Sequence, residues 1–467
     1  MPADIVTTLR TWGRLSAADL RQRLDVSPAT LMRAARDAGD QVLMRGRARR
    51  SAYAARRELR GNMAPIPVYR IDENGAAHEQ GLLNLTYPDG SVLDRLEALE
   101  WPLHGAEMED GWYDGIPYPM LDMRPQGFLG RGFARRHAGL LQVDEDPNRW
   151  SDDDALHALT LLGDDTPGNF ILGEPAYRLW LATMRNPREP IGDTAVAGRY
   201  AMLANQAMQH GDGGSSAAGE FPKFTTTRRI GVGAEVTQVI VKFSGNDDSE
   251  GTQRWSDLLV CEHLAATLAP GLLPSIRAST STIHQMAGRT FLEVERFDRH
   301  RRHGRSGLLS LHALNAALVG SNQAPWPATV QRLDDLGLLQ PAVVEQSAAL
   351  WHFGKLIAND DMHEGNLSFQ PALPGQAGLR LAPVYDMLPM LYAPARGVEL
   401  APRQFEPALP LPRETRTWLR AARVALEFWR LASGDERISA GFRAICAENA
   451  LRIEEAMLSP VLAGAAE

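Results

Sequence analysis

Asp361 and Asn366 stand five residues apart in the run Asn359-Asp360-Asp361-Met362-His363-Glu364-Gly365-Asn366. A carboxylate and an amide at that spacing suit phosphoryl transfer, which demands positioning and charge neutralisation more than covalent chemistry. The pattern D-x-x-x-x-N is that of a catalytic loop, here also of the form D-x-H-x-x-N. Asp361 is then the candidate to accept or orient a hydroxyl proton, and Asn366 to hold a metal. Twenty residues on, Pro383-Val384-Tyr385-Asp386 ends a strand-like run and offers Asp386 as the second metal ligand. Lys242 closes the apolar run Val239-Ile240-Val241-Lys242-Phe243, where a strand lysine would meet phosphates. An edge-strand lysine facing water is the plain alternative. Gly211 to Lys223 is rich in small residues. Backbone N–H groups there, at Ser215, Ser216, Ala217, Ala218 and Gly219, could approach phosphate oxygens, with Lys223 at its end. A flexible linker has the same composition. Either aspartate alone could be turn chemistry; the order and spacing of all the parts argue for a site.

Other groups carry less. His363 reads as a support for the loop. Ser310, His312 and His352 come with no nucleophile elbow or ordered triad. Gly231-Val232-Gly233 lacks the third glycine of a dinucleotide fingerprint and reads as a hairpin turn.

Positioning these residues requires definite elements. A helix near 255–268 lies within a β-rich stretch at 206–300. An apolar helix at 348–357 would deliver the Asp361 loop, and 301–460 reads as mainly helical with an irregular β stretch between 359 and 390. Residues 61–205 are rich in Gly, Pro and Trp and suggest short strands.

At the N-terminus, Ser16 and Ser27 are placed to cap two short helices, with Pro28 at the first position of the second. Val42–Met44, a basic turn and Ser51–Ala54 then read as a hairpin. Two helices and a basic hairpin match a winged helix-turn-helix. Thr30, Arg33 and Arg36 would face the major groove, while Arg45, Arg47, Arg49 and Arg50 would hold phosphates. Charge agrees: residues 1–60 carry 13 Arg, no Lys and six acidic residues, net +7, whereas the remainder is −15. Use of the head as a protein-docking module is the alternative. Lysine is rare throughout, occurring only at 223, 242 and 355. Two cysteines are too few for a disulfide framework or zinc cluster. With no apolar run of membrane length and no signal peptide, a cytoplasmic location without a membrane partner is expected.

The loop Ser215-Ser216-Ala217-Ala218-Gly219-Glu220-Phe221-Pro222-Lys223, the Lys242 strand, Val294-Glu295-Arg296-Phe297-Asp298-Arg299, the Asp361 loop and Val384-Tyr385-Asp386 together resemble the HipA family of toxin kinases. With its N-terminal head the chain is similar to the YjjJ-like branch. The resemblance implies an α+β, protein-kinase-like fold in two lobes with ATP and Mg2+ as cofactors. It implies Lys242 on the ATP phosphates, Asp361 as catalytic aspartate, Asn366 and Asp386 on Mg2+, and an acid of the kinase αC type on the 255–268 helix, either Glu262 or Asp257. It also implies autophosphorylation at Ser216 or Ser215, and a protein substrate carrying serine or threonine. The expected domains are 1–62 (winged helix), 63–300 (first lobe) and 301–467 (second lobe). Expected partners are DNA, ATP and a protein substrate, and a homodimer would suit a winged helix. Competing readings are a nucleotide-sensing regulator, a small-molecule or lipid kinase and, with no acidic cluster near the head to support it, a nuclease.

Overall fold

The computed structural model describes residues 4–210, 221–231, 235–322, 324–373, 375–394 and 403–463. They fall into two compact units, one made of residues up to 125 with 137–187, the other of 126–136 with those from 188 on.

The first unit begins with three helices, α1 (Ile5–Trp12), α2 (Ala17–Leu24) and α3 (Pro28–Asp37). Ser16 and Ser27 cap α2 and α3 by accepting from Asp19 N and Thr30 N, satisfying amides that a helix start leaves unpaired. Leu9, Leu20, Leu24 and Leu31 bury one common core with Tyr53. Three strands, β1 (Leu15–Ser16), β2 (Val42–Arg45) and β3 (Ala52–Ala55), form an antiparallel sheet in the order β1-β3-β2. A second sheet follows, from β4 (Ile66–Ile71), β5 (Ala77–Thr86), β6 (Gly90–Arg95), β7 (Trp112–Tyr113) and β8 (Phe170–Leu172), in the order β7-β6-β5-β4-β8. The Gly, Pro and Trp content hid the helices of 61–205: α4 (Gly105–Glu109), α5 (Gly127–Leu141, of which 127–136 belong to the second unit), α6 (Asp152–Leu162) and α7 (Glu174–Arg185). The start of α6 is a capping box, with Ser151 and Asp154 bonded reciprocally.

The second unit is built around a five-stranded sheet of β9 (Ile191–Gly192), β10 (Lys223–Arg229), β11 (Val236–Phe243), β12 (Ser281–Met286) and β13 (Arg289–Glu295), in the order β12-β13-β11-β10-β9. Helix α8 (Val196–His210) packs on it through Tyr200, beside Phe224, Phe243 and Phe291. Helix α9 (Glu250–Leu268) starts five residues before the sequence suggested, because Ser249 caps it by accepting from Thr252 N. A small hairpin, β14 (Arg299–His300) and β15 (Gly304–Arg305), leads to a three-stranded sheet of β16 (Leu309–Ser310), β17 (Ser368–Gln370) and β18 (Arg380–Leu381). Around it stand α10 (Leu311–Leu314), α11 (Trp326–Asp335), α12 (Val343–Leu356), α13 (Thr415–Gly434) and α14 (Ala440–Met457). Trp326, Trp418, Trp429, Phe353, Phe428 and Phe442 are fully buried among these helices. Among the described residues no helix is long and apolar enough to cross a membrane.

Candidate active site

β11 is the central strand of its sheet, and Lys223 on β10 stands opposite Lys242 in the register. Lys242 is 7% exposed, so the water-facing edge position does not hold. Its ammonium donates to Glu262 Oε1 at 2.6 Å and also contacts the carboxylate of Asp386. Three elements meet in that cluster: β11, the middle of α9, and the segment after β18. Burial by itself would lower the Lys242 pKa, but Asp386 and Glu262 outweigh it and hold the ammonium charged. Burial likewise opposes ionisation of Asp386, and the Lys242 charge overcomes it, bringing the carboxyl to about 2. At Glu262 burial dominates and the carboxyl sits above its usual range. Its Oε2 has no hydrogen-bond partner among the described residues.

The pair of candidate acids on α9 is thereby resolved. Glu262 meets Lys242, while Asp257, 1% exposed, accepts from Ser439 N at 2.8 Å and Ser439 Oγ at 2.6 Å at the start of α14. Asp257 pins the helix that presents Glu262.

The Asp361 loop follows α12. Asp361 is exposed, and its N–H donates to Asn359 Oδ1 at 3.1 Å. Asn366 Nδ2 donates to the Asp361 carbonyl at 2.8 Å, which closes the loop and leaves Oδ1 without a hydrogen bond among the described residues. His363 supports the backbone, as its type and place suggested: Nδ1 accepts from Gly365 N at 3.0 Å. Three further anchors were not legible beforehand. Trp326 Nε1 donates to the His363 carbonyl at 3.0 Å. Asn315 Nδ2 and Thr329 Oγ1 donate to the Glu364 carboxylate at 2.8–3.0 Å. Asn315 opens a π-helical turn, Asn315–Val319, a local distortion often kept where function needs it.

Tyr385 ties the Asp386 segment to this loop. Its hydroxyl donates to the Gly365 carbonyl at 2.7 Å and lies 2.6 Å from Ser368 Oγ. Phe297 packs on the Tyr385 ring, with centroids 5.8 Å apart. Its neighbour Asp298 is buried between Arg296 (3.1 Å) and Arg299 (2.7 Å). The distinctive run 294–299 is therefore a support for the strand exit at Tyr385, half-buried over 294–297 and buried at Asp298 and Arg299. Asp386 itself has φ +52°, a left-handed conformation that Asp tolerates better than most residues and that collects at functional sites.

Among the described residues no three His, Cys, Asp or Glu side chains gather as a metal site. Asp386 and the free Asn366 Oδ1 are oxygen donors of the kind Mg2+ takes, since that ion binds one or two protein oxygens and completes its shell with water and phosphate. Ser310 caps α10 by accepting from Ala313 N at 3.2 Å, a structural role. Ser215, Ser216, Ala217, Ala218 and Gly219 lie outside the described residues.

In the first unit, Thr30, Arg33 and Arg36 are exposed on α3, and Arg47 and Arg49 are exposed in the β2–β3 turn. None of these four arginines makes an ion pair among the described residues. Arg45 and Arg50 are different: Arg45 is bonded to Asp94 at 2.5 Å, and Arg50 lies 3.3 Å from Glu109.

Two family models match the chain: YjjJ-like toxin, middle domain, over residues 62–181, and HipA-like C-terminal domain, over residues 215–456. The chain is 38% identical to Toxin YjjJ of Escherichia coli (strain K12) over 452 residues, covering 96% of this chain and 97% of that protein. Among solved structures, HipA in a complex of Shewanella oneidensis MR-1 HipA, HipB and operator DNA shares the fold at a TM-score of 0.50 and 14% identity. That match covers 84% of this chain and 96% of the other.

Proposed function

The chain belongs to the HipA toxin family, in its YjjJ-like branch, and from that premise we propose that it is a Mg2+- and ATP-dependent serine/threonine protein kinase with a DNA-binding head. The observation that carries this reading is the cluster of Lys242 with Glu262 and Asp386. Burying a charge is costly unless it is paired, and structural purposes are served as well by apolar residues. Strongly perturbed groups held together in this way mark functional sites.

In this reading residues 1–62 form a winged helix-turn-helix, 63–300 the first kinase lobe and 301–467 the second, mainly helical lobe. Lys242, oriented by Glu262, neutralises ATP phosphates. Asp386 and Asn366 hold Mg2+, which supplies further charge neutralisation when bound. Asp361 orients the accepting hydroxyl and takes its proton, and Asn366 keeps the loop closed through the Asp361 carbonyl. Backbone amides of Ser216, Ala217, Ala218 and Gly219, with Lys223, line the phosphate path, and Ser216 or Ser215 is the autophosphorylated residue. Partners are duplex DNA at the head and a protein substrate at the kinase.

Mass spectrometry of the protein after incubation with Mg·ATP, beside an Asp361→Asn variant, tests the reading. Phosphate on Ser216 or Ser215, absent from the variant, is expected. ATP binding without any phosphate transfer would instead favour a nucleotide-sensing regulator, and no ATP binding would sink the kinase.

A further inference from the structure

The two strands that close the N-terminal head turn one face inward. On β2 and β3, Leu43, Ala52 and Ala54 pack against Val92 and Trp112 of the second sheet of the same unit. Ala54 and Val92 are completely buried and Trp112 is 3% exposed. Backbone bonds run alongside this packing: Tyr87 N donates to the Ala55 carbonyl at 3.0 Å and Arg57 N to the Leu85 carbonyl at 2.8 Å.

Charge reinforces it at the rim. Arg45 donates from Nε to Asp94 Oδ1 at 2.6 Å and from Nη2 to Asp94 Oδ2 at 2.5 Å, and its Nη1 donates to the Met44 carbonyl at 2.7 Å. A two-pronged arginine–carboxylate pair is the strong form of such an interaction and has the geometry with which arginine also holds a phosphate. Asn84 Nδ2 donates to Asp94 Oδ2 at 3.1 Å and fixes the acid in place. Gly46, at φ +87°, lets the turn lie close: a Cβ there would stand 2.3 Å from the Arg50 carbonyl oxygen and 3.0 Å from Asp110 Oδ2. Arg14 of the head also donates to Glu107 at 2.7 Å. A phosphate at Arg45 would have to displace Asp94 and would meet its negative charge.

We infer that this hairpin is a docking element for the middle sheet, and that the surface offered to duplex DNA is confined to Arg33 and Arg36 on α3 and Arg47 and Arg49 at the hairpin tip. The inference rests on the DNA-binding reading of the head. Arg33 and Arg36, three residues apart, share one exposed helix face. Arg45 has its guanidinium engaged within the protein, and Asp94 is the residue that withholds it.

The full-length chain and a labelled mixed-sequence duplex of about two helical turns test this by the salt dependence of binding. Removing one arginine that neutralises a DNA phosphate makes the slope of log K against log salt shallower by about 0.9. Arg33→Ala, Arg36→Ala, Arg47→Ala and Arg49→Ala are each expected to do so, and Arg45→Ala to leave the slope unchanged. Asp94→Asn, which keeps shape while releasing Arg45, is expected to steepen it by about the same amount. A slope as shallow in Arg45→Ala as in Arg47→Ala, with Asp94→Asn unchanged, would overturn the inference, as would preference for single-stranded RNA over the duplex. If the wild type binds no nucleic acid, the DNA reading itself falls. The docking half is then judged by thermal unfolding of Arg45→Ala, Asp94→Ala and the double variant: additive Tm shifts would refute it, and non-additive shifts establish it.

Discussion

Replacing Lys242 by Met should strand Glu262, and the size of the effect follows from where that carboxylate sits. Its side chain is 6% exposed, whereas that of Asp386 is 31% exposed and can turn to water. Without the ammonium, Glu262 escapes the cost of a buried charge by taking a proton, which caps the penalty. At pH 7, protonating a glutamate of ordinary pKa near 4.3 costs about 3.7 kcal/mol at about 1.36 kcal/mol per pH unit. At pH 5 the cap falls to about 1 kcal/mol by the same rule. The sign is that of a group whose folded pKa is raised: stability missing at neutral pH returns as pH falls towards the unfolded value. A Lys242→Met/Glu262→Gln double variant has no charge to strand. Calorimetry in metal-free buffer should then place the transition of the second unit in the double variant above that in Lys242→Met by roughly 7 °C at pH 7, taking about 2 °C per kcal/mol. The gap should narrow to roughly 2 °C at pH 5. Equal Tm values at both pH values would refute the claim that Glu262 is held in a dry site by Lys242.

Other outcomes follow from the same geometry. Asp361→Asn should cut phosphoryl transfer by about 10²–10⁴-fold, the usual range for a positioned acid–base group, while ATP binding measured by calorimetry persists. Glu364→Ala should take one of two acceptors from the Asn315 amide, the Ser321 carbonyl at 2.7 Å remaining, and should also take the acceptor of Thr329 Oγ1, costing about 1–3 kcal/mol in urea unfolding and lowering kcat more than it raises KM for ATP, with Glu364→Gln retaining more activity. Asp257→Ala should destabilise by about 1–3 kcal/mol and raise hydrogen exchange in α9, because Ser439 N and Oγ both lose their acceptor. The depressed Asp386 carboxyl contributes stability that is present above the ordinary aspartate pKa near 3.9 and is lost as pH falls through about 2. An acid titration of the Asp386→Asn variant should lack that component.

The amino-acid sequence by itself determined what depends on neighbours a few residues away. Ser16 and Ser27 cap helices by reaching amides three residues on, and Asn366 closes a loop on a carbonyl five residues back. Residue type and spacing state such bonds outright, so the closed Asp361 loop and the head's helices could be read directly, and the family with them. The helices of 105–185 were obscured where Gly, Pro and Trp broke the apolar period, although the Ser151 capping box was there to be seen. What tertiary structure alone decided involves partners far apart in the chain. Glu262 and Asp257 lie five residues apart on one buried helix, and nothing in its pattern says which meets Lys242, 20 residues away from Glu262, and which meets Ser439, 182 residues from Asp257. Asn315 and Thr329 grip Glu364 from 49 and 35 residues away. Arg45 and Arg47 look alike in a basic turn, yet one faces Asp94 and the other water. A charged side chain's role is set by the charge that folding brings opposite it, and that choice is made by packing.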